Sequence, residues 1–224
     1  MVHELGGCVI VECPDTLIKL ISRIDGVEQV VAYGSRLPSH NFEIPMMSLP
    51  FAFGIDASNM LGCVPYLSVS DERQREWCDR LDQGEDRTRI GLVWKGSESH
   101  QRNAWRSPGL EVFKPLLDLE GLRWFSLQKD GEAVDLEATG VGHRVVSLGA
   151  DFADFTDTAA AILNLDLVVS PDTAVAHLAG ALGRPVWLVL PYANEWRWFE
   201  GRKDSPWYPT MRLFHQSAPG DWKG

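Results

Sequence analysis

The chain has 224 residues, 45% of them hydrophobic and 23% charged, with a formal charge of −10 at pH 7. A chain of that size buries roughly 70% of its unfolded surface, enough for one large domain or two small ones. The acidic balance excludes nucleic acid and anionic membrane as natural partners, because both favour basic surfaces.

The first five residues read as a helical turn closed by Gly6-Gly7, followed by a strand from Cys8 to Cys13. Leu17, Leu20, Ile21 and Ile24 fall on one face of a helix spanning 15–24. Gly26 ends it, and Val27 to Tyr33 is a second strand. Residues 34–68, rich in Pro, Gly and Ser around an apolar patch from Ile44 to Phe53, read as loops and short elements. The charged stretch from Asp71 to Arg89 reads as a surface helix and linker. The domain boundaries follow: a partial N-terminal α/β domain over 1–70, a linker over 71–88 and a second α/β domain over 89–224.

In that second unit, strands are expected at 90–94, 122–127, near 144–148, at 165–169 and at 186–190. Helices are expected near 110–119, across 156–163 and after Pro171, with a loop around Gly131. Alternating β and α elements of this kind make a parallel sheet with right-handed crossovers. The tail from Pro191 is crowded with aromatics and regains a strand period at 211–216. No apolar run reaches the length of a membrane span. The start has no signal-peptide pattern, and Cys8, Cys13, Cys63 and Cys78 lack metal or disulfide spacing. A cytoplasmic chain with reduced thiols is expected.

Two segments carry candidate chemistry. In Ser170-Pro171-Asp172-Thr173-Ala174-Val175-Ala176-His177, a strand turns into a helix that Asp172 or Thr173 can cap. Gly183 with Pro185 stops that helix. A helix start at the carboxyl end of a parallel strand attracts anions through free amides and the helix dipole. Thr173 and His177, four apart, are expected to point the same way. The second segment, 95–107, sets Lys95, Arg102 and Arg106 against Glu98, with His100 beside them. Such a basic loop in an acidic chain suits a small anion, and together the two segments suggest a phosphate-bearing ligand.

Asp172-Thr173-x-x-x-His177-Leu178-Ala179-Gly180-Ala181-Leu182-Gly183-x-Pro185-Val186 resembles the donor-site signature of the heptosyltransferase-like GT-B glycosyltransferases, the ADP-heptose:lipopolysaccharide heptosyltransferase group called glycosyltransferase family 9. The closer resemblance is to the glycosyltransferase-like domains that follow tetratricopeptide repeats in bacterial proteins. It extends through Gly91-Leu92-Val93-Trp94-x-Gly96, Ser126-Leu127-Gln128-Lys129, Trp196-Arg197-Trp198, the run from Asp204 to Phe214, and Gly220-Asp221-Trp222.

The resemblance implies a GT-B-like α/β fold of two Rossmann-like domains facing a cleft. It also implies inverting transfer of a sugar from a nucleotide-diphosphate donor, with neither metal nor other cofactor; no Asp-x-Asp motif occurs. By the same resemblance Asp172, Thr173, Ala174 and His177 contact the donor, with Lys129, Gly96, Ser97 and Arg106. Ala104 stands where an arginine is expected. Trp196 and Trp198 are candidates for stacking on an acceptor, which is a glycan, a lipid-linked saccharide or a protein.

The base-bearing glycine-rich loop of the family would precede Cys8, so the N-terminal domain reads as truncated and no catalytic residue is assigned; Glu12 and Asp15 are the options that remain. The alternative reading is a catalytically silent nucleotide-sugar-binding or protein-interaction module. An unfinished sheet also invites pairing of two copies through its exposed edge.

Overall fold

A computed structural model describes residues 1–56, 59–60, 63–82, 84 and 87–223. The first unit pairs β1 (Val9–Cys13) and β2 (Val27–Ala32) in parallel. A 3-10 turn, Asp15–Leu17, and α1 (Ile18–Ile21) join them. The helix expected over 15–24 is therefore shorter. Ser22 turns its hydroxyl back onto the Ile18 carbonyl at 2.8 Å, an interaction that competes with continued helix. Leu20 is buried in the main core, and Lys19 pairs with Asp154 at 2.9 Å, so this unit is fastened to the second one. Between 34 and 68 the ordered elements among the described residues are a turn at Met46–Ser48 and α2 (Leu49–Ala52), with Phe42 and Phe51 exposed.

α3 (Asp71–Leu81) is capped by the Ser70 hydroxyl, which accepts from the Arg73 N–H at 3.3 Å. The expected surface helix has a buried side: Trp77 and Leu81 belong to the main core. Of the linker placed at 71–88, residues 83, 85 and 86 lie outside the described ones.

The large sheet begins with β3 (Thr88–Leu92), followed by α4 (Asn103–Arg106), α5 (Leu110–Leu117) and β4 (Leu122–Ser126). Then come α6 (Glu132–Thr139), β5 (Val145–Ser147), α7 (Phe155–Leu163), β6 (Leu167–Pro171), α8 (Ala174–Ala181), β7 (Val186–Leu190) and β8 (Met211–His215). All pairs are parallel in the order β5-β4-β3-β6-β7-β8.

Neighbouring residues alternate between two cores. Gly91 and Phe125 face the side of Trp77, α7 and α8, whereas Ile90, Leu92 and Trp124 face α5. The period-2 alternation of a strand thus gives each face its own apolar set. α6 occupies the stretch expected to be a loop. Its apolar residues form no stripe, and Val134 is exposed, so helical periodicity carried no signal there.

Candidate functional site

The strand order places a topological switch between β3 and β6, since the chain winds outward from β3 to β5 on one side and from β6 to β8 on the other. In such sheets the crevice beyond the carboxyl ends of those strands is the place for ligands. A cleft of about 530 Å³ opens there. Its walls are the residues that follow each strand: Lys95, Gly96 and Ser97 after β3, Gln128 and Lys129 after β4, Phe152 and Asp154 after β5, and Thr173 and Ala174 after β6. Arg106 and His100 close it from the basic loop, and Thr16 borders it from the first unit.

The cleft collects cations within an acidic chain. Lys95 pairs with Asp135 at 2.8 Å and Glu98 at 3.6 Å, and Lys129 donates to the Phe152 carbonyl at 3.1 Å. The Arg106 Nε is buried with no hydrogen-bond partner. The guanidinium packs closely on Gly96, where a Cβ would lie 2.8 Å from Asn103 Oδ1 and 2.9 Å from Arg106 Nη2, so those side-chain ends would have to shift to admit one. Gln128 holds two walls together. Its Oε1 accepts from the N–H groups of Trp94 and Lys95 at 3.3 and 3.2 Å, while its Nε2 donates to the Asp130 carbonyl.

Thr173 is the N-cap of α8 in extended conformation, but its side chain does not cap; its hydroxyl shares a 2.9 Å hydrogen bond with Ser170. Nor does Asp172 cap. The first amides of α8 therefore keep no side-chain acceptor at the edge of the cleft. The far end of the helix closes as expected: Gly183 adopts φ 70°, and the Arg184 N–H donates to the Ala179 carbonyl at 2.9 Å.

Residues 122–196, which run from β4 past β7, match the model of glycosyltransferase family 9 (heptosyltransferase). The resemblance is to that family. Over 162 residues the chain is 28% identical to Protein FlbA of Caulobacter vibrioides, a match covering 70% of this chain and 27% of that protein. The chain thus spans about a quarter of that relative's length. Among solved structures it superposes on the E. coli ADP-heptose lps heptosyltransferase II with a TM-score of 0.60 at 15% identity, covering 93% of this chain and 81% of that one. A glycosyl transferase of family 9 from Veillonella parvula matches with a TM-score of 0.52 at 16% identity, over 85% of this chain and 52% of that one. The fold is accordingly α/β and GT-B-like.

The residues expected to contact a donor divide into two groups. Thr173, Ala174, Lys129, Gly96, Ser97 and Arg106 line the cleft. Asp172 and His177 do not border it. His177 Nε2 lies 3.4 Å from Asp172 Oδ1, its Nδ1 shares a 3.0 Å hydrogen bond with the Tyr208 hydroxyl, and its ring stacks on Trp198 at 5.1 Å. Thr173 and His177 thus face different surroundings, contrary to the i, i+4 expectation. Thr173 lies outside the helical register, where that spacing loses its meaning.

Trp198 is corrected as an acceptor platform: it is 0% exposed and offers no face to a sugar. Trp196 is exposed, with Arg197 over one ring face at 4.7 Å, and does not border the cleft. Gln128 and Asp154 join the candidate residues because of where the fold places them, and Lys95 of the basic loop lines the cleft as well. Among the described residues no group of three or more His, Cys, Asp and Glu is arranged to hold a metal, and no helix is long and apolar enough to cross a membrane.

Burial raises the Asp172 carboxyl, but the hydrogen bond and charge of His177, helped by Trp198 and Arg106, outweigh it and hold the group below the usual carboxylate range. Burial pushes the Tyr208 phenol well above its ordinary range, so it remains a neutral hydroxyl. A lowered folded-state pKa gives stability that is complete above the unfolded value, near pH 3.9, and is lost as pH falls through the folded value. Asp172→Asn is therefore expected to flatten the acid side of the stability profile below about pH 4. Urea midpoints between pH 6 and 2 test this; an unchanged acid slope in the variant would refute the coupling.

Proposed function

We propose that this chain is a glycosyltransferase domain that holds a nucleotide-diphosphate sugar in the cleft between β3 and β6. The observation that carries the reading is the meeting, at the switch point of a sheet whose β4–β7 half matches family 9, of the Lys95, Arg106 and Lys129 cations and the uncapped start of α8. In this reading an acceptor hydroxyl attacks the anomeric carbon as the bond to the diphosphate breaks, inverting the configuration, releasing the nucleoside diphosphate and passing the hydroxyl proton to solvent. Negative charge then grows on the leaving diphosphate, and preorganised cations and amides lower that barrier without a metal. Arg106 and the α8 amides face the diphosphate, Lys129 supports it, and Asp172 with His177 stiffens the turn bearing Thr173 rather than touching the donor. The acceptor is a glycan, a lipid-linked saccharide or a protein hydroxyl.

A thermal-shift panel of ADP-, UDP-, GDP- and dTDP-sugars is the test. A donor at about 100 times its Kd stabilises the fold by about 2.7 kcal/mol. One nucleotide class is expected to raise Tm, and Arg106→Ala to weaken its binding about tenfold or more through loss of a charge-assisted contact. Turnover of that donor into free nucleoside diphosphate then separates an enzyme from a binding module. No shift with any donor would leave a silent module as the better reading.

A further inference from the structure

A second cleft, of about 620 Å³, opens beside β8, the strand at the end of the large sheet. Arg212, Phe214 and Gln216 line it from β8 and the residue just beyond, Tyr192 comes from the loop after β7, and residues 200–203 form the outer wall. That wall is held against the sheet, since the Leu213 N–H donates to the Lys203 carbonyl at 2.9 Å and Asp204 bridges antiparallel to Arg212. None of its lining residues is shared with the first cleft.

The groups in this cleft are mainly donors. Arg202 is committed to Asp204 through contacts of 3.2 and 2.6 Å. Lys203 and Arg212 have no carboxylate partner among the described residues, and Arg212 lies over the Phe214 ring at 4.9 Å. Gln216 is only 9% exposed. Its Oε1 accepts from the backbone N–H groups of Tyr192 and Gly220, at 3.0 and 3.3 Å, which fixes the amide's orientation. Its Nε2 is left buried with no partner. Buried polar groups in folded proteins are nearly always paired, so an orphan donor lining a cleft marks a place for a ligand oxygen. Against these groups stands Glu200 alone among the lining carboxylates, in a chain whose formal charge is −10.

We propose that this second cleft binds an anionic saccharide. Its phosphate or carboxylate sits between Lys203 and Arg212, a ring or hydroxyl oxygen accepts from Gln216 Nε2, and the sugar packs on the exposed Tyr192 ring. The site stands apart from the β3–β6 cleft and does not depend on how that cleft is used.

Calorimetric titration of the full chain with glucose 6-phosphate, glucuronate, glucose and inorganic phosphate tests it. Glucose 6-phosphate is expected to bind at least about tenfold more tightly than glucose or phosphate alone, as a charge-assisted contact added to sugar packing predicts. Glucuronate binding equally well would extend the support to a carboxylate anion. Lys203→Ala with Arg212→Gln should weaken binding about tenfold or more, and Arg106→Ala in the other cleft should leave it unchanged. Gln216→Glu keeps both backbone hydrogen bonds but removes the donor and repels the anion, so it too should lose binding while circular dichroism stays that of the parent. Absence of binding at millimolar ligand, equal binding of phosphate alone, indifference to the Lys203/Arg212 pair, or loss in Arg106→Ala would each overturn the assignment.

Discussion

Gly149→Ala is expected to destabilise the fold by about 3 kcal/mol, the upper range for forcing volume into a packed interior. For a chain of this size that lowers Tm by roughly 6–12 °C. Gly149 opens the 3-10 turn after β5, where the chain passes directly over the end of β4. A Cβ there would overlap the Gln128 carbonyl oxygen and sit 2.7 Å from its carbon and 3.2 Å from Lys129 Cα. Those atoms are backbone, so no rotamer change relieves the clash and either β4 or the turn must move. Gly142→Ala is the control, because its Cβ would meet only Leu136, at 3.8 Å; its effect is expected within about 0.5 kcal/mol. The clash also reaches the proposed site, since Gln128 and Lys129 both line the cleft. Donor binding by the folded fraction of Gly149→Ala, measured well below its Tm, should fall further than the stability loss alone accounts for. A variant with parental Tm and parental donor binding would show that the turn has room that its geometry denies.

What could be read from the sequence was what is encoded locally. The strand, turn and helix of 170–185 follow from an apolar run, a 3.6-residue period and the Gly183 stop, all within a few residues of one another. The six cleft-lining candidates rest on the family resemblance, which matches short runs of neighbouring residues, and the helix-start and basic-loop patterns point separately to Thr173 and Arg106. Gln128 and Asp154 escaped because their roles depend on partners far away in sequence: Gln128 ties to Trp94 and Lys95, and Asp154 to Lys19. Trp198 misled for the same reason. Nothing near it in sequence reveals that His177 and Tyr208 cover it in the core. Loss of periodicity hid α6, whose two ends are marked by left-handed glycines, Gly131 and Gly140, rather than by an apolar stripe.

Asp157→Leu is expected to cost about 3 kcal/mol, a large share of the 5–15 kcal/mol that typical domains possess. The Asp157 carboxylate is 1% exposed and serves three donors at once. Oδ1 accepts from Arg73 Nε at 2.6 Å and Trp77 Nε1 at 3.3 Å, while Oδ2 accepts from the Ala153 N–H at 2.9 Å. Leucine fills the space but strands the Trp77 and Ala153 donors, at about 1–3 kcal/mol for each group left buried. Arg73 is 39% exposed and also pairs with Glu76, so its charge can turn to water, which keeps the total below the worst case for a broken buried pair. Arg73→Ala should cost less than Asp157→Leu, because Trp77 and Ala153 still satisfy the carboxylate. Urea unfolding of both single variants and the double gives the order and the coupling; equal losses would mean that the guanidinium, not the paired N–H groups, carries the joint. The joint matters to the cleft because Asp157 lies one turn into α7, whose start supplies Asp154, Phe155 and Thr158 to the cleft wall and holds Lys19 of the first unit. α3, although remote from any proposed chemistry, fixes α7 against the sheet and through it the distance between the two sides of the site.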